Sequence, residues 1–245
     1  MEKRIIYKTK SKTQYYLRAG TGVLPLEEVE YNKIETERLC RDGCVNYNRG
    51  GGCPPFSPDF DSYLRRFPNH KLTLFWVAVP IVSIPPTICS QKSWKIPAVF
   101  SNRMSVTAVD YVYKHIRSLE DAKAMLWTGH CDECKKCIFK LRDGNGLVDG
   151  VKPRCRHPEL RRFSLESTGI WVNKAMESVG SYIDWWWRDG NGVNPNGKLV
   201  PRDTKAICGV IADRSMESDI WEFWRIHKQF TIISSKSVTR RRLYE

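Results

Sequence analysis

The chain has 245 residues, 41% of them hydrophobic, which suits one large domain or two small ones with a real core. A formal charge of +13, from 40 Lys+Arg against 27 Asp+Glu, attracts phosphate backbones and other acidic partners. The most apolar run, residues 72–86 (LTLFWVAVPIVSIPP), is too short and too broken by proline for the roughly 20 residues that span a bilayer, and MEKRIIYKTKSK at the start has no apolar signal core, so a cytoplasmic protein is expected and a membrane protein is not.

In chain order, residues 1–35 read as short strands and turns, with Tyr15-Tyr16-Leu17 in a strand and Gly20-Thr21-Gly22 in a turn. Residues 36–44 (TERLCRDGC) predict a short helix running into a loop, and Gly50-Gly51-Gly52 with Pro54-Pro55 excludes regular structure beyond it. Ser57-Pro58 opens a second helix, with Phe60, Tyr63, Leu64 and Phe67 on one face. Residues 71–82 predict a buried strand. Val106, Val109, Tyr113 and Ile116 recur at helical spacing across 103–117. Residues 123–127 (KAMLW) fit a strand or the end of a helix. Residues 169–180 predict a helix closed by Gly180. A turn-rich stretch, 185–203, follows and contains Trp185, Trp186 and Trp187. Residues 205–212 (KAICGVIA) predict a buried strand, 216–229 an amphipathic helix, and 230–235 a last strand. Alternating strands and helices predict an α/β or α+β fold: one domain over 1–245, with a compact mixed sheet, flanking helices and cysteine-rich loops.

Nine cysteines is an odd number, and in a reducing compartment disulfides are not expected. Their grouping points to metal. Cys131, Cys134 and Cys137 form C-x2-C-x2-C, and Cys155 follows a glycine-rich loop. Three thiolates at this spacing can each reach a different iron of one 4Fe–4S cubane, with Cys155 on the fourth. Amides near Gly144, Gly146 and Gly150 are then candidates to donate to sulfide. Zinc is the alternative, although its four-thiolate sites usually come from two separated knuckles. His130 and His157 flank this set as supporting or surface residues.

Cys40, Cys44 and Cys53 form C-x3-C-x8-C-P-P. Three thiolates without a local fourth leave one iron open to substrate. Cys89 or a distant side chain can instead close the site, or the three can bind zinc with a histidine such as His70. The eight-residue gap before Cys53 rules out a radical-SAM pattern. Cys208, inside an apolar strand, reads as a small core residue.

Together, C-x3-C-x8-C-P-P with its following Ser-Pro, CDECKKC, and PRCRHPELRRFSLESTGIWV resemble the uncharacterised family of cysteine-rich predicted metal-binding proteins, a domain of unknown function. The resemblance runs from about Thr36 to Gly180 and leaves 181–245 as a divergent region. It implies metal or iron–sulfur binding by the matched cysteines and names no substrate. Around Cys155, the groups Arg156, His157, Arg161, Arg162, Ser164 and Glu166 offer an anion site or proton transfer, with Glu166 and His157 as acid/base candidates. Structural roles compete: Ser164 as a helix cap, and Glu166 paired with an arginine. The Trp triplet suits either base stacking or a shield over a cluster.

The reading is an iron–sulfur protein with one 4Fe–4S cluster, or two, serving a redox or sulfur-transfer reaction with an electron donor protein as partner. The alternatives are a zinc-structured module that binds nucleic acid or another anionic partner, and an electron-transfer or scaffold subunit.

Overall fold

The computed structural model describes residues 1–44, 47–48, 50–89, 95–140, 153–184, 192–193 and 199–233. Gly144, Gly146, Gly150 and the Trp185–Trp187 triplet lie outside them.

Nine strands are seen among these residues: β1 (Glu2–Lys8), β2 (Gln14–Pro25), β3 (Lys71–Pro80), β4 (Ala124–Trp127), β5 (Phe163–Ser164), β6 (Gly192–Val193), β7 (Leu199–Val200), β8 (Asp203–Ala212) and β9 (Phe230–Ile232). Seven form one mixed sheet in the order β5-β4-β8-β3-β2-β1-β9, while β6 and β7 pair with each other. Every pairing in the large sheet is antiparallel except β4 with β5. The helices are α1 (Lys33–Gly43), α2 (Phe60–Arg66), α3 (Pro86–Cys89), α4 (Lys95–Arg117), α5 (Leu165–Thr168), α6 (Val172–Ser178) and α7 (Glu217–Ile226). The fold class is α+β.

The centre of the sheet follows from two apolar runs. β3 and β8 pair from Lys71↔Ala212 to Pro80↔Asp203, and almost every side chain between is buried. Such strands need cover on both faces. On one face, α4 sets Ala108, Val109, Val112, Tyr113 and Ile116 against Phe75, Val77, Cys208 and Val210, with Ile220 and Trp224 of α7 alongside. On the other, Leu74, Trp76, Ile207 and Ile211 pack against Phe60, Leu165 and Met176. Each fully buried side chain of this size contributes about 1.5–3 kcal/mol.

Gly20-Thr21-Gly22 is not a turn; it lies within β2. A Cβ on Gly20 would sit 2.2 Å from the Trp76 ring, and one on Gly22 would sit 2.4 Å from Val179. The glycines are there for close approach, the second use of glycine in a strand. The predicted helix at 103–117 begins earlier, at Lys95, since Pro97 is tolerated in a first helical turn.

The β4–β5 pair positions the cysteines. Parallel neighbours need a long crossover, and here it is the 128–162 stretch that carries Cys131, Cys134, Cys137 and Cys155. The stretch leaves and re-enters the sheet at the β5 edge. Among the described residues, no helix is long and apolar enough to cross a membrane.

Candidate metal centre

All nine cysteines are free thiols. The first group is set by α1, whose N-cap Asn32 accepts from the Glu35 N–H at 3.0 Å. Cys40 lies in its last turn. Cys44 caps the C-terminus, its N–H donating to the Cys40 carbonyl at 3.0 Å. The chain then turns tightly, with the Cys53 N–H on Gly50 O at 3.1 Å and the Phe56 N–H on Cys53 O at 2.9 Å. Lys33 ties these parts together: its Nζ donates to Ser57 Oγ at 2.7 Å and to the Ser167 carbonyl of α5. Burial lowers the Lys33 pKa.

Burial pushes the Cys53 thiol up to about 12, helped by Cys44, Cys40 and Cys131. Burial likewise raises Cys40 to about 11, with Cys44 and then Glu166 adding to it against the pull of Lys33. Cys40, Cys44 and, from the second group, Cys131 are thus within electrostatic reach of Cys53.

In the second group, Cys131, Cys134, Cys137 and Cys155 line one narrow cavity of about 10 Å³, together with Gly51, Phe139, His157 and Arg161. Cys134 is raised by burial and then by the other three thiols. Among the described residues, no three Cys, His, Asp or Glu side chains gather to hold a single metal ion; the four thiols ring a cavity instead.

Gly51 and Gly52 form the seam between the two groups. A Cβ on Gly52 would fall 1.9 Å from the Arg162 carbonyl oxygen and 3.0 Å from the Cys131 Cβ, and one on Gly51 would fall 2.8 Å from the Phe139 ring. No side chain fits there, so the two loops touch backbone to backbone.

Two arginines brace the seam. Arg161 donates from Nε to Gly51 O and from Nη2 to Phe56 O, both at 2.6 Å. Its guanidinium lies over Phe139 and Phe163, at 5.0 and 4.7 Å from the ring centroids. Arg162 is buried and bonds Asp110 of α4 at 2.8 Å and Glu133 of the cysteine loop. It sits between the rings of Tyr113 and Trp127, at 4.9 and 4.3 Å. Its backbone N–H donates to Cys131 Sγ at 3.4 Å. Arg117 adds a bond to Glu133 at 3.4 Å and one to the Glu159 carbonyl at 2.8 Å. The Arg-Arg pair is thus committed to carbonyls, carboxylates and rings within the protein. Sequence reading sees an anion site there because the partners Asp110 and Glu133 lie far away along the chain.

The acid/base candidates separate. Glu166, in α5, stands by Cys40; the residue is exposed but its carboxyl is turned in far enough for burial to raise its pKa, and it pairs with no arginine among the described residues. His157 is exposed and lines the four-cysteine cavity, with Glu159 at 4.0 Å. Ser164 caps α5, accepting from the Ser167 N–H at 3.0 Å. His130 is half-buried at the start of the cysteine loop. Cys89 belongs to the apolar core on the α4 face, its thiol 3.8 Å from Ile84 O, and His70 turns its ring to Pro68 O at 2.9 Å. Neither joins Cys40, Cys44 and Cys53. Cys208 is fully buried in β8.

The donor chemistry suits a thiolate-bound metal, with four sulfurs around one cavity and an amide aimed at one of them. Residues 23–199 match the family described as predicted metal-binding proteins (DUF2284), a span that extends beyond 36–180 at both ends and takes in the Trp triplet. No curated protein and no solved structure matches the chain. The chain belongs to this predicted metal-binding family.

Proposed function

We propose that the protein is an iron–sulfur redox protein. In this reading Cys131, Cys134, Cys137 and Cys155 hold a 4Fe–4S cluster, and Cys40, Cys44 and Cys53 hold a second centre with one position open to substrate. The observation that carries the proposal is the glycine seam, which sets Gly52, the residue before Cys53, against Cys131 and makes neighbours of two loops far apart in sequence. Adjacent centres suit electron relay; isolated structural metals have no need of contact.

The cysteine spacing, three thiols in one C-x2-C-x2-C run and a fourth set apart, favours iron over zinc. A tetrahedral ion draws four sulfurs to about 2.3 Å from a single point, whereas a cubane takes each thiolate on a different iron and spreads them around a volume. A four-iron core needs more room than the present cavity, so ligation would part the loops that wall it, in keeping with the coupling of metal binding to local folding. The Arg162 N–H on Cys131 is the kind of outer hydrogen bond that raises a cluster's reduction potential. A bound cluster would supply electrons one at a time. The chain's own residues would do the rest: Arg161 and Arg162 hold the loops in register, and Glu166 and His157 would carry protons. A reduction or a sulfur transfer fits this arrangement.

Lys135, Lys136, Lys140, Arg154 and Arg156, near the second group in sequence, are exposed, which suits an acidic electron donor protein. The same charges would serve a zinc-structured nucleic-acid binder, and metal analysis separates the two readings. Anaerobic purification should give about four irons and four acid-labile sulfides per chain or more, with a broad absorption band near roughly 400 nm. Colourless protein with stoichiometric zinc would defeat the proposal.

A further inference from the structure

On the far side of Arg161 from the four-cysteine cavity lies an open groove of about 530 Å³. Arg161 lines both spaces. Three aromatic side chains wall the groove, Phe56, Tyr63 and Phe163, and two guanidinium groups face it, Arg66 and Arg161. No acidic side chain is in its lining.

The chemistry of the groove is therefore lopsided. Arg161 is held in place by the Gly51 and Phe56 carbonyls and by the Phe163 ring, so its charge is fixed. Arg66 closes α2, lies exposed against Phe67 at 5.2 Å, and makes no ion pair among the described residues. The Tyr63 hydroxyl has no hydrogen-bond partner among the described residues, and both guanidinium groups act on it electrostatically. Fixed positive charge, an unengaged hydroxyl donor and flat apolar walls form a receptor for a flat anion. Arginine forks match a carboxylate in two-point fashion. Rings stack on aromatic walls at modest entropic cost.

We propose that this groove binds a small aromatic carboxylate, with the ring among Phe56, Tyr63 and Phe163 and the carboxylate on Arg66 and the Tyr63 hydroxyl. A molecule held there is one side chain away from the four cysteines. Its service as a substrate rests on the iron–sulfur reading; its binding does not.

The test is equilibrium binding to the anaerobically isolated protein, using benzoate as the probe and acetate, cyclohexanecarboxylate and inorganic phosphate as comparisons. Benzoate should saturate one site and bind at least about tenfold more tightly than acetate or phosphate. Arg66→Gln should weaken benzoate about tenfold, the loss expected for one charge-assisted contact of about 1.4 kcal/mol, and Tyr63→Phe should weaken it severalfold. Arg66 is exposed, so its variant keeps the fold, and a thermal melt of each variant checks this. Phosphate binding as tightly as benzoate, cyclohexanecarboxylate matching it, an unaffected Arg66→Gln variant, or no saturable binding would each overturn the proposal. Metal content measured on the same samples keeps the two readings apart. Benzoate bound by zinc protein leaves the groove standing without the cluster, and iron protein that ignores benzoate does the reverse.

Discussion

At the scale of single residues, the centre depends on one glycine and one arginine. Gly52→Ala would drive a methyl group into the Arg162 carbonyl, which is backbone and cannot swing aside. Overpacking of this kind typically costs about 1–3 kcal/mol; we expect a loss at the top of that range, together with a fall in metal content, read by thermal melting and metal assay on the same sample. Arg162→Met removes the cation that Asp110 and Glu133 share while leaving both carboxylates in place. Stranding a buried charge costs about 3–5 kcal/mol. Since both acids keep partial contact with water, the expected loss is near 3 kcal/mol, measured by urea unfolding. A change under 1 kcal/mol would mean that the brace is idle. Neither residue was legible in this role from the sequence. Gly52 reads as one of three glycines that exclude regular structure and Arg162 as part of an anion site, because what each touches lies many residues away along the chain.

At the scale of elements, the readable parts were those whose signal is local. The runs in β3 and β8 are continuous and apolar because both faces of a central strand are covered, and α4 and α7 repeat their buried residues at helical spacing. Residues 123–127 were ambiguous until pairing with β8 and β5 made them a strand. The interior position of Gly20 and Gly22 was unreadable because it depends on Trp76 and Val179. The C-x2-C-x2-C spacing could be recognised as metal chemistry from seven consecutive residues. The approach of Cys53 to Cys131 arises from the fold alone: α1 is tied to α5 by the Asn32 N–H on Gly169 O at 2.8 Å and by the Tyr31–Ile170 bridge, which brings the first loop to the end of the second. The Ser164 cap contributes to that joint. Ser164→Ala should cost about 1 kcal/mol in urea unfolding, and no measurable loss would show that α5 holds without its cap.

At the scale of the whole molecule, burial sets an alkaline limit on stability. Tyr63 is pushed up to about 12 by burial, and burial raises Tyr7 and Tyr113 as well. An unfolded tyrosine loses its proton near 10. Above that pH the unfolded chain binds fewer protons than the folded one, so the tyrosines' share of stability is fully present below pH 10 and falls as pH rises through the folded values. The slope is about 1.4 kcal/mol per pH unit for each tyrosine fully engaged. Urea midpoints should therefore begin to fall near about pH 8.5, where the unfolded counterparts of Cys40 and Cys53 ionise, and fall more steeply beyond about pH 9.5 as the tyrosines join them; a midpoint that holds to about pH 11.5 would contradict the burial of these groups. Near the cysteines in sequence, Lys135, Lys136, Lys140, Arg154 and Arg156 are exposed, while Arg161 and Arg162 are spent inside. Total charge therefore overstates the surface available to a nucleic acid.

The most direct measurement is electron paramagnetic resonance on anaerobically isolated protein reduced with dithionite, compared with its Cys155→Ser and Cys53→Ser variants. Two neighbouring clusters predict a reduced-cluster signal broadened by interaction between centres, which narrows in Cys53→Ser and is lost or rewritten in Cys155→Ser. A protein that stays silent on reduction and carries zinc in place of iron would contradict the account.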